Sequence, residues 1–283
     1  MNYRHIYHAG NFADVHKHLV LVLCLDHLRK KDAPFFVLDA QGGAGFYNLK
    51  SVEAQKTREY EPGIGALMKA EFKNADVNLY LSKLREDFKK DRYPGSPLIA
   101  ARMLRDQDRL LANELHKDDV KILKQTLGPR KNAKVTQDDA YQIIRASVPP
   151  QERRGLVLID PPYEIETDEP TILIKQMQEW KKRWPTGTYI LWYPVKENLP
   201  VAALHEAAAA LGINRTWVCE YHDAHLPPLP ESDQGNRKRL RSSGLIVFNA
   251  PYQVPERVEA ALAEIAPVMG GRVQTKWLVA DQG

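Results

Sequence analysis

The stretch Gly155-Leu156-Val157-Leu158-Ile159-Asp160-Pro161-Pro162-Tyr163 decides how this chain is read. Five residues without a polar side chain, stopped by an acid and two prolines, read as a short strand buried on both faces. Proline donates no ladder hydrogen bond, so the strand must end there. The same grammar recurs along the chain. Segment 34–38 is apolar and leads into Asp39 and then Gly42-Gly43-Ala44-Gly45. Segment 109–115 carries Leu110, Leu111 and Ala112 and ends near Glu114; segment 133–136 leads to Asp138 and Asp139. Segments 188–193, 215–221, 244–248 and 275–279 complete the strands. Helical periodicity fills most of the gaps, at 97–106, 140–146, 170–183, 202–211 and 255–265. Alternating strands and helices predict an α/β fold with a doubly wound, mostly parallel sheet. Ligands of such sheets sit at the carboxyl ends of the strands, which makes Asp39, Glu114, Asp139 and Asp160 site candidates.

Composition agrees with one compact soluble chain. Of 283 residues, 43% are apolar and 27% charged, which excludes a disordered chain and a collagen-like one. No apolar run approaches the roughly 20 residues of a membrane span. The opening residues lack the apolar core of a secretory signal, and a cytoplasmic location is expected. Cys24 and Cys219 both fall in apolar segments and are expected to be reduced. The net charge is +4 and the pI about 8.9, a balance that permits a nucleic-acid partner. Nothing in the pattern demands a dimer, and a monomer is expected. Segment 14–31 has an apolar stripe wide enough to predict a largely buried helix.

One spacing is anomalous. In nucleoside-binding doubly wound sheets an acid lies about 20 residues beyond the glycine turn. Here Glu114 lies 75 residues beyond Asp39. The surplus predicts an insertion: residues 1–46 and 95–283 form the main domain, and 47–94 a small helical subdomain with helices near 65–73 and 79–90.

Asp160-Pro161-Pro162-Tyr163 resembles the Asp/Asn-Pro-Pro-aromatic signature of S-adenosylmethionine-dependent methyltransferases that act on exocyclic or amide nitrogens. The residue types suit that chemistry. The lone pair of adenine N6 is delocalised into the ring and is a poor nucleophile. The Asp160 carboxylate and the Pro161 carbonyl offer two acceptors for its N–H groups, which localises the lone pair toward a methyl sulfonium. Two prolines make the turn rigid, and Tyr163 offers a flat face for a flipped base. Asp160 is read as acceptor and orienter first, and as proton acceptor after transfer. Asp39 with Gly43 in the glycine loop resembles a methyltransferase cofactor loop; it matches neither the G-x-G-x-x-G spacing nor a P-loop. Glu114 is the candidate for the ribose hydroxyls and Asp139 for the adenine amino group of the cofactor. Ser96, before Pro97, is predicted to cap a helix and line the pocket.

Tyr3, Arg4, His5, His8, His16, Lys17 and His18 crowd the N-terminus. No cysteine or acid cluster completes a metal site there, so no metal is expected. The stretch reads as a basic, aromatic element over the site, with Lys17 and His18 suited to the cofactor carboxylate and the rest to RNA. Arg237-Lys238-Arg239-Leu240-Arg241 places four cations in five residues and reads as a phosphate contact.

Taken together, the motifs resemble the bacterial large-subunit ribosomal RNA methyltransferase J family. The likeness is carried by Tyr3-Arg4-His5-x-x-His8-Ala9-Gly10-Asn11-x-Ala13-Asp14-Val15-x-Lys17-His18, and by Tyr93-Pro94-Gly95-Ser96-Pro97, Glu114-Leu115-His116 and Arg153-Arg154-Gly155-Leu156. The Asp160 motif with Glu164 and Leu191-Trp192-Tyr193-Pro194 extend it, collinear over nearly the whole chain. The resemblance implies a Rossmann-like methyltransferase fold with a small helical insert. It also implies base flipping and N6-methylation of one adenine of 23S ribosomal RNA by S-adenosylmethionine. It places cofactor contacts on Lys17, His18, Gln41, Ser96, Glu114, Asp139 and Asp160, catalysis on Asp160, and a substrate contact on Tyr3. Two positions depart from the family pattern: Gln41-Gly42-Gly43-Ala44-Gly45 replaces His-Ala-Gly-Ala-Gly, and Ala140 replaces the glycine after Asp139. The alternatives are a DNA adenine-N6 methyltransferase, a protein-glutamine methyltransferase, or an RNA-binding assembly factor without catalysis.

Overall fold

A computed structural model describes residues 4–161, 169–195, 201–223, 240 and 242–281. In chain order the strands are β1 (Phe36–Asp39), β2 (Phe46–Asn48), β3 (Arg92–Pro94), β4 (Arg109–Asn113), β5 (Ala133–Thr136), β6 (Gly155–Ile159), β7 (Thr188–Val195), β8 (Thr216–Asp223), β9 (Ser242–Phe248) and β10 (Gly271–Val279). The helices are α1 (Phe12–Arg29), α2 (Val52–Thr57), α3 (Ala66–Met68), α4 (Ala75–Ser82), α5 (Arg85–Phe88), α6 (Ser96–Met103), α7 (Asp119–Leu127), α8 (Ala140–Ser147), α9 (Glu169–Arg183), α10 (Val201–Ala210) and α11 (Val254–Ile265).

Eight strands form one sheet in the order β10-β8-β9-β7-β6-β1-β4-β5. The five from β7 to β5 pair in parallel, and β9 pairs antiparallel with both β7 and β8. The chain starts the sheet at β1, winds outward through β4 to β5, then returns to β6 and winds the other way. The order reverses between β1 and β6, which is where such a sheet opens a crevice at its carboxyl edge. This is the Rossmann-like doubly wound fold that the strand–helix alternation predicts.

Alternation within the central strands divides the interior into two layers. Val37, Leu156, Leu158 and Ile190 face a core shared with α1, α6 and α11. Phe36, Leu38, Val157, Ile159 and Leu191 face a second core with Ile144 of α8, Met177 and Trp180 of α9, and Leu204 and Ala208 of α10. Helix α1 is capped by Asn11, whose side chain accepts from the N–H groups of Ala13 and Asp14, and it is buried along almost its whole length. Both cysteines are free and buried.

Between β2 and β3 the chain makes α2 to α5 and a kinked turn at Glu61–Gly65. The ribbon pairing Tyr47 with Tyr93 closes this segment at its base. Leu67, Val77, Tyr80 and Leu81 pack into the same core as α1, so the segment shares the main domain's interior. Arg257 of α11 clamps it further, its Nε 3.0 Å from Asp76 and its Nη2 2.8 Å from Asp26. The helix expected over 65–73 ends after Met68. The Lys73 and Asn74 N–H groups donate to Glu264 instead, and Asn74 caps α4. The helix expected over 79–90 is split into α4 and α5, with Leu84 fully buried at the break. Ser96 is not the cap of α6: Gly95 holds that position and Ser96 begins the helix.

Candidate functional site

A cavity of about 790 Å³ opens at the carboxyl ends of β1, β4, β5 and β6. The strand ends that line it are joined by Asn113, the last residue of β4. Its amide donates to the carbonyls of Ala40 (3.0 Å) and Asp138 (2.9 Å). Its side-chain oxygen accepts from Thr136 Oγ1 and from the Asp138 N–H, both at 3.0 Å. Its backbone carbonyl accepts from the Gly42 N–H at 2.7 Å. One buried side chain thus sets the spacing of three neighbouring loops.

The glycine loop lies along this edge. Gly43 has φ +58°, and a Cβ there would stand 2.2 Å from the Tyr47 hydroxyl. A Cβ on Gly42 would meet Pro97 at 2.8 Å. The Gly43 N–H donates to Glu114 Oε2 (2.8 Å), and Glu114 Oε1 accepts from the His116 N–H (2.7 Å). Burial raises the Glu114 pKa, and those two N–H groups oppose it. Asp139 caps α8 through Oδ1, which accepts from the Tyr141 and Gln142 N–H groups at 3.0 Å each. Asp39 lies behind the loop, 1% exposed, and neither carboxylate oxygen has a hydrogen-bond partner among the described residues. Burial pushes its pKa up to about 7; the Ser96 hydroxyl and Lys17 act against this, while Asp160 and Glu114 add to it.

Across the loop stands Asp160, just beyond β6. Its Oδ2 is paired with the Lys17 ammonium, which also lies 3.1 Å from Asp14 Oδ1. Lys17 and Asp14 belong to the first turns of α1, so the helix start is wired to the end of β6. The Asp160 N–H donates to the Gln41 side-chain oxygen at 3.1 Å, which ties the Asp160 turn to the glycine loop. Asp14 is buried and also accepts from the Gly10 N–H and from His5, both at 2.9 Å. Burial pushes the Asp14 pKa up, but His5 and Lys17 outweigh it and hold it well below the usual range. His18 is buried and bonded to the Tyr93 hydroxyl at 2.8 Å. Burial lowers its pKa to about 3, with Asp14 opposing, so its imidazole is neutral.

The fold therefore gathers His5, Lys17, His18, Gln41, Gly43, Ser96, Glu114, Asp139, Asp160 and Pro161 around one cavity. Asp39 stands just behind it. Arg4 lies outside it, half-exposed and 3.4 Å from Glu53. Tyr3, Pro162, Tyr163, Arg237, Lys238, Arg239 and Arg241 lie outside the described residues. Sequence reasoning missed Asp14, Asn113, Trp192 and Glu59. Glu59 lies on the cavity wall and reaches His8 and Asn11 at 3.0 Å each. Asp14 had a signal, since an acid three and four residues before Lys17 and His18 shares their helix face. Glu59 had none, because its partners lie about fifty residues away. Among the described residues no group of His, Cys, Asp and Glu is placed to hold a metal ion.

Residues 32–279 match the family model described as Ribosomal RNA large subunit methyltransferase D, RlmJ. A Ribosomal RNA large subunit methyltransferase J of Haemophilus influenzae is 41% identical over 99% of this chain and 95% of its own length. The protein of that name from Escherichia coli is 36% identical over 99% of this chain and 100% of its own. The chain belongs to the ribosomal RNA large subunit methyltransferase J family. A crystal structure of a Legionella pneumophila protein superposes with a TM-score of 0.78 at 29% identity, covering 95% of this chain and 98% of that one.

Gln41 and Ala140, the two positions that the resemblance marks as departures, have plain structural readings. Gln41 uses its carbonyl oxygen to hold the Asp160 N–H. Ala140 is the first residue of α8 and does not have a positive φ, so its backbone needs no glycine. The donor set fits the cofactor that the family implies. The glycine loop lines the cavity, carboxylates stand at successive strand ends, and the buried Asp39 carboxylate behind the loop suits a cationic group.

Proposed function

We propose that this chain transfers a methyl group from S-adenosylmethionine to large-subunit ribosomal RNA, and that the acceptor is N6 of one adenine in 23S RNA. The observation that carries this reading is the position of Asp160 and Pro161: at the end of β6, beside the strand-order reversal, in the same cavity as the glycine loop, Glu114 and Asp139.

The division of labour is assigned as the resemblance implies, and the shared cavity supports it. Gly42 and Gly43 let the backbone approach the amino-acid end of the cofactor; Glu114 takes the ribose hydroxyls and Asp139 the adenine amino group. The Asp39 carboxylate and Ser96 lie under the glycine loop, and Lys17 and His18 close the cavity from α1. The cofactor supplies an electrophilic methyl on a sulfonium. Asp160 and the Pro161 carbonyl accept the two N–H groups of the adenine amino group, which aims the nitrogen lone pair at that methyl. Lys17 and Gln41 hold Asp160 from its side chain and its backbone, so these acceptors are preorganised. Asp160 accepts the proton released after transfer. The RNA contacts are assigned to Tyr3, Arg4, His5 and Tyr163, and to Arg237, Lys238, Arg239 and Arg241. Leu240, the one residue of that last run that is described, lines the cavity.

The deciding experiment offers labelled S-adenosylmethionine with RNA from a strain lacking the native enzyme, and genomic DNA in parallel. Label is expected on 23S RNA, as N6-methyladenine at one position. Label on DNA alone would move the protein to the DNA-modifying reading. Asp160→Ala is expected to lower turnover by about 10²–10³-fold or more while the chain stays folded by circular dichroism. Substantial turnover by that variant would remove Asp160 from the mechanism.

A further inference from the structure

We propose that Trp192 is a second surface, besides that assigned to Tyr163, against which the base undergoing methylation is held, and that Ser243 and His16 fix its indole in that pose. The inference rests on the adenine reading above. Strands β6 and β7 are parallel, with Ile159 opposite Leu191, so Asp160 and Trp192 are the next pair in register. Leu158 and Ile190, two residues earlier on each strand, face the α1 side of the sheet. Asp160 and Trp192 share that side, and both line the cavity, with the Trp192 ring only partly buried. Acceptors that take both hydrogens of an adenine amino group lie in the plane of the base. A flat side chain lining the same cavity offers a face on which that base can stack.

The indole is held from behind. Its Nε1–H donates to Ser243 Oγ at 2.9 Å. Ser243 Oγ lies 3.1 Å from His16 Nδ1, and His16 Nε2 lies 3.3 Å from Cys219 Sγ. Ser243, His16 and Cys219 are all fully buried. Burial brings the His16 pKa down to about 3, so the ring is neutral and satisfies one neighbour as donor and the other as acceptor. Trp180 and Trp217 serve the core differently: their buried N–H groups lack a hydrogen-bond partner among the described residues. A tie running from the cavity through β9 to α1 and β8 fixes the angle of one ring, which packing alone would not require.

The test compares Trp192→Ala, Trp192→Phe, Ser243→Ala and the Trp192→Phe/Ser243→Ala double variant in steady-state methylation of 23S RNA. The wild-type product is mapped first. A product other than N6-methyladenine overturns the adenine reading, whatever the variants do. With that product established, Trp192→Ala is expected to lower kcat/KM for RNA on the order of 10–100-fold, with KM for S-adenosylmethionine within twofold. Trp192→Phe is expected to recover most of the loss. Ser243→Ala is expected to cost a few-fold beside Trp192 and nothing further beside Phe, which has no N–H to hold. An unchanged kcat/KM for RNA in a folded Trp192→Ala overturns the proposal. So does a defect confined to the cofactor KM, or an equal Ser243→Ala penalty in both backgrounds. Should Trp192→Ala not fold, the Phe and Ser243 variants decide on the same criteria.

Discussion

Asp39 shows at the residue scale why an acid stands at the end of β1. A carboxylate this deeply buried is costly to ionise unless a cation stands against it. Its pKa of about 7 in the folded chain exceeds the ordinary 3.8. The folded state thus binds the proton more tightly than the unfolded one, and ionisation works against folding. The ligand-free protein is expected to lose stability as pH rises from about 4 through 7, and to level off above. A cationic ligand placed against Asp39 favours the ionised form and binds more tightly as pH rises to 7. Calorimetric titration of S-adenosylmethionine from pH 5.5 to 7.5 is expected to show affinity rising by up to about tenfold per pH unit. The window stops there because an α-amino group titrates near 7.7. Asp39→Asn is expected to flatten the profile. An identical slope in that variant would show that another group carries the proton; the facing candidates are Lys17, Asp160 and Glu114.

At the scale of elements, the site depends on strand ends held at fixed separations. Asn113 does this for β1, β4 and β5 through four side-chain hydrogen bonds. Asn113→Ala strands two carbonyls, an N–H and a hydroxyl in a buried place. The expected loss is about 2–4 kcal/mol in urea denaturation, with weaker cofactor binding because the Gly42–Gly43 loop and Asp139 both shift. A loss below about 1 kcal/mol would mean that water replaces the amide. The opposite wall depends on a second connection. Helix α1 reaches the end of β6 through Lys17, and the insert reaches the start of α1 through Glu59 to His8 and Asn11. A carboxylate and an ammonium buried together are not reliable stabilisers. The Asp14–Lys17–Asp160 arrangement is therefore better understood as positioning than as a source of stability.

For the whole molecule, a net charge of +4 over 283 residues is too small to draw RNA by overall field alone. Attraction must be local, and four cations fall within the five residues 237–241, whose Leu240 lines the cavity. Replacing Arg237, Lys238, Arg239 and Arg241 with Gln is expected to weaken RNA binding. The slope of log affinity against log salt should fall by about 3 if all four contact single-stranded phosphates. Filter binding of a 23S fragment between 50 and 300 mM salt measures this, and an unchanged slope would leave the run a solvated loop.

The doubly wound sheet was legible because its signals are local. Continuous apolar runs such as 155–159 mark strands buried on both faces, and the acid, glycine or proline after each run marks where it stops. An acid placed there falls at the carboxyl edge of the sheet, so Asp39, Glu114, Asp139 and Asp160 were readable as a set, although Asp39 is buried behind the cavity wall. Insert helices were read less well, because Asn74 and Glu264 decide where they break and Glu264 lies about 190 residues away. Only the tertiary structure decided the wiring of the site. Lys17 meets Asp160 across 143 positions, His16 meets Ser243 across 227, and the glycine loop is set by Asn113 more than seventy residues on. Periodicity and turn chemistry report a residue's own strand or helix. Which side chains face one another is set by strand order and by the face each helix packs, and those arise only when the whole sheet assembles.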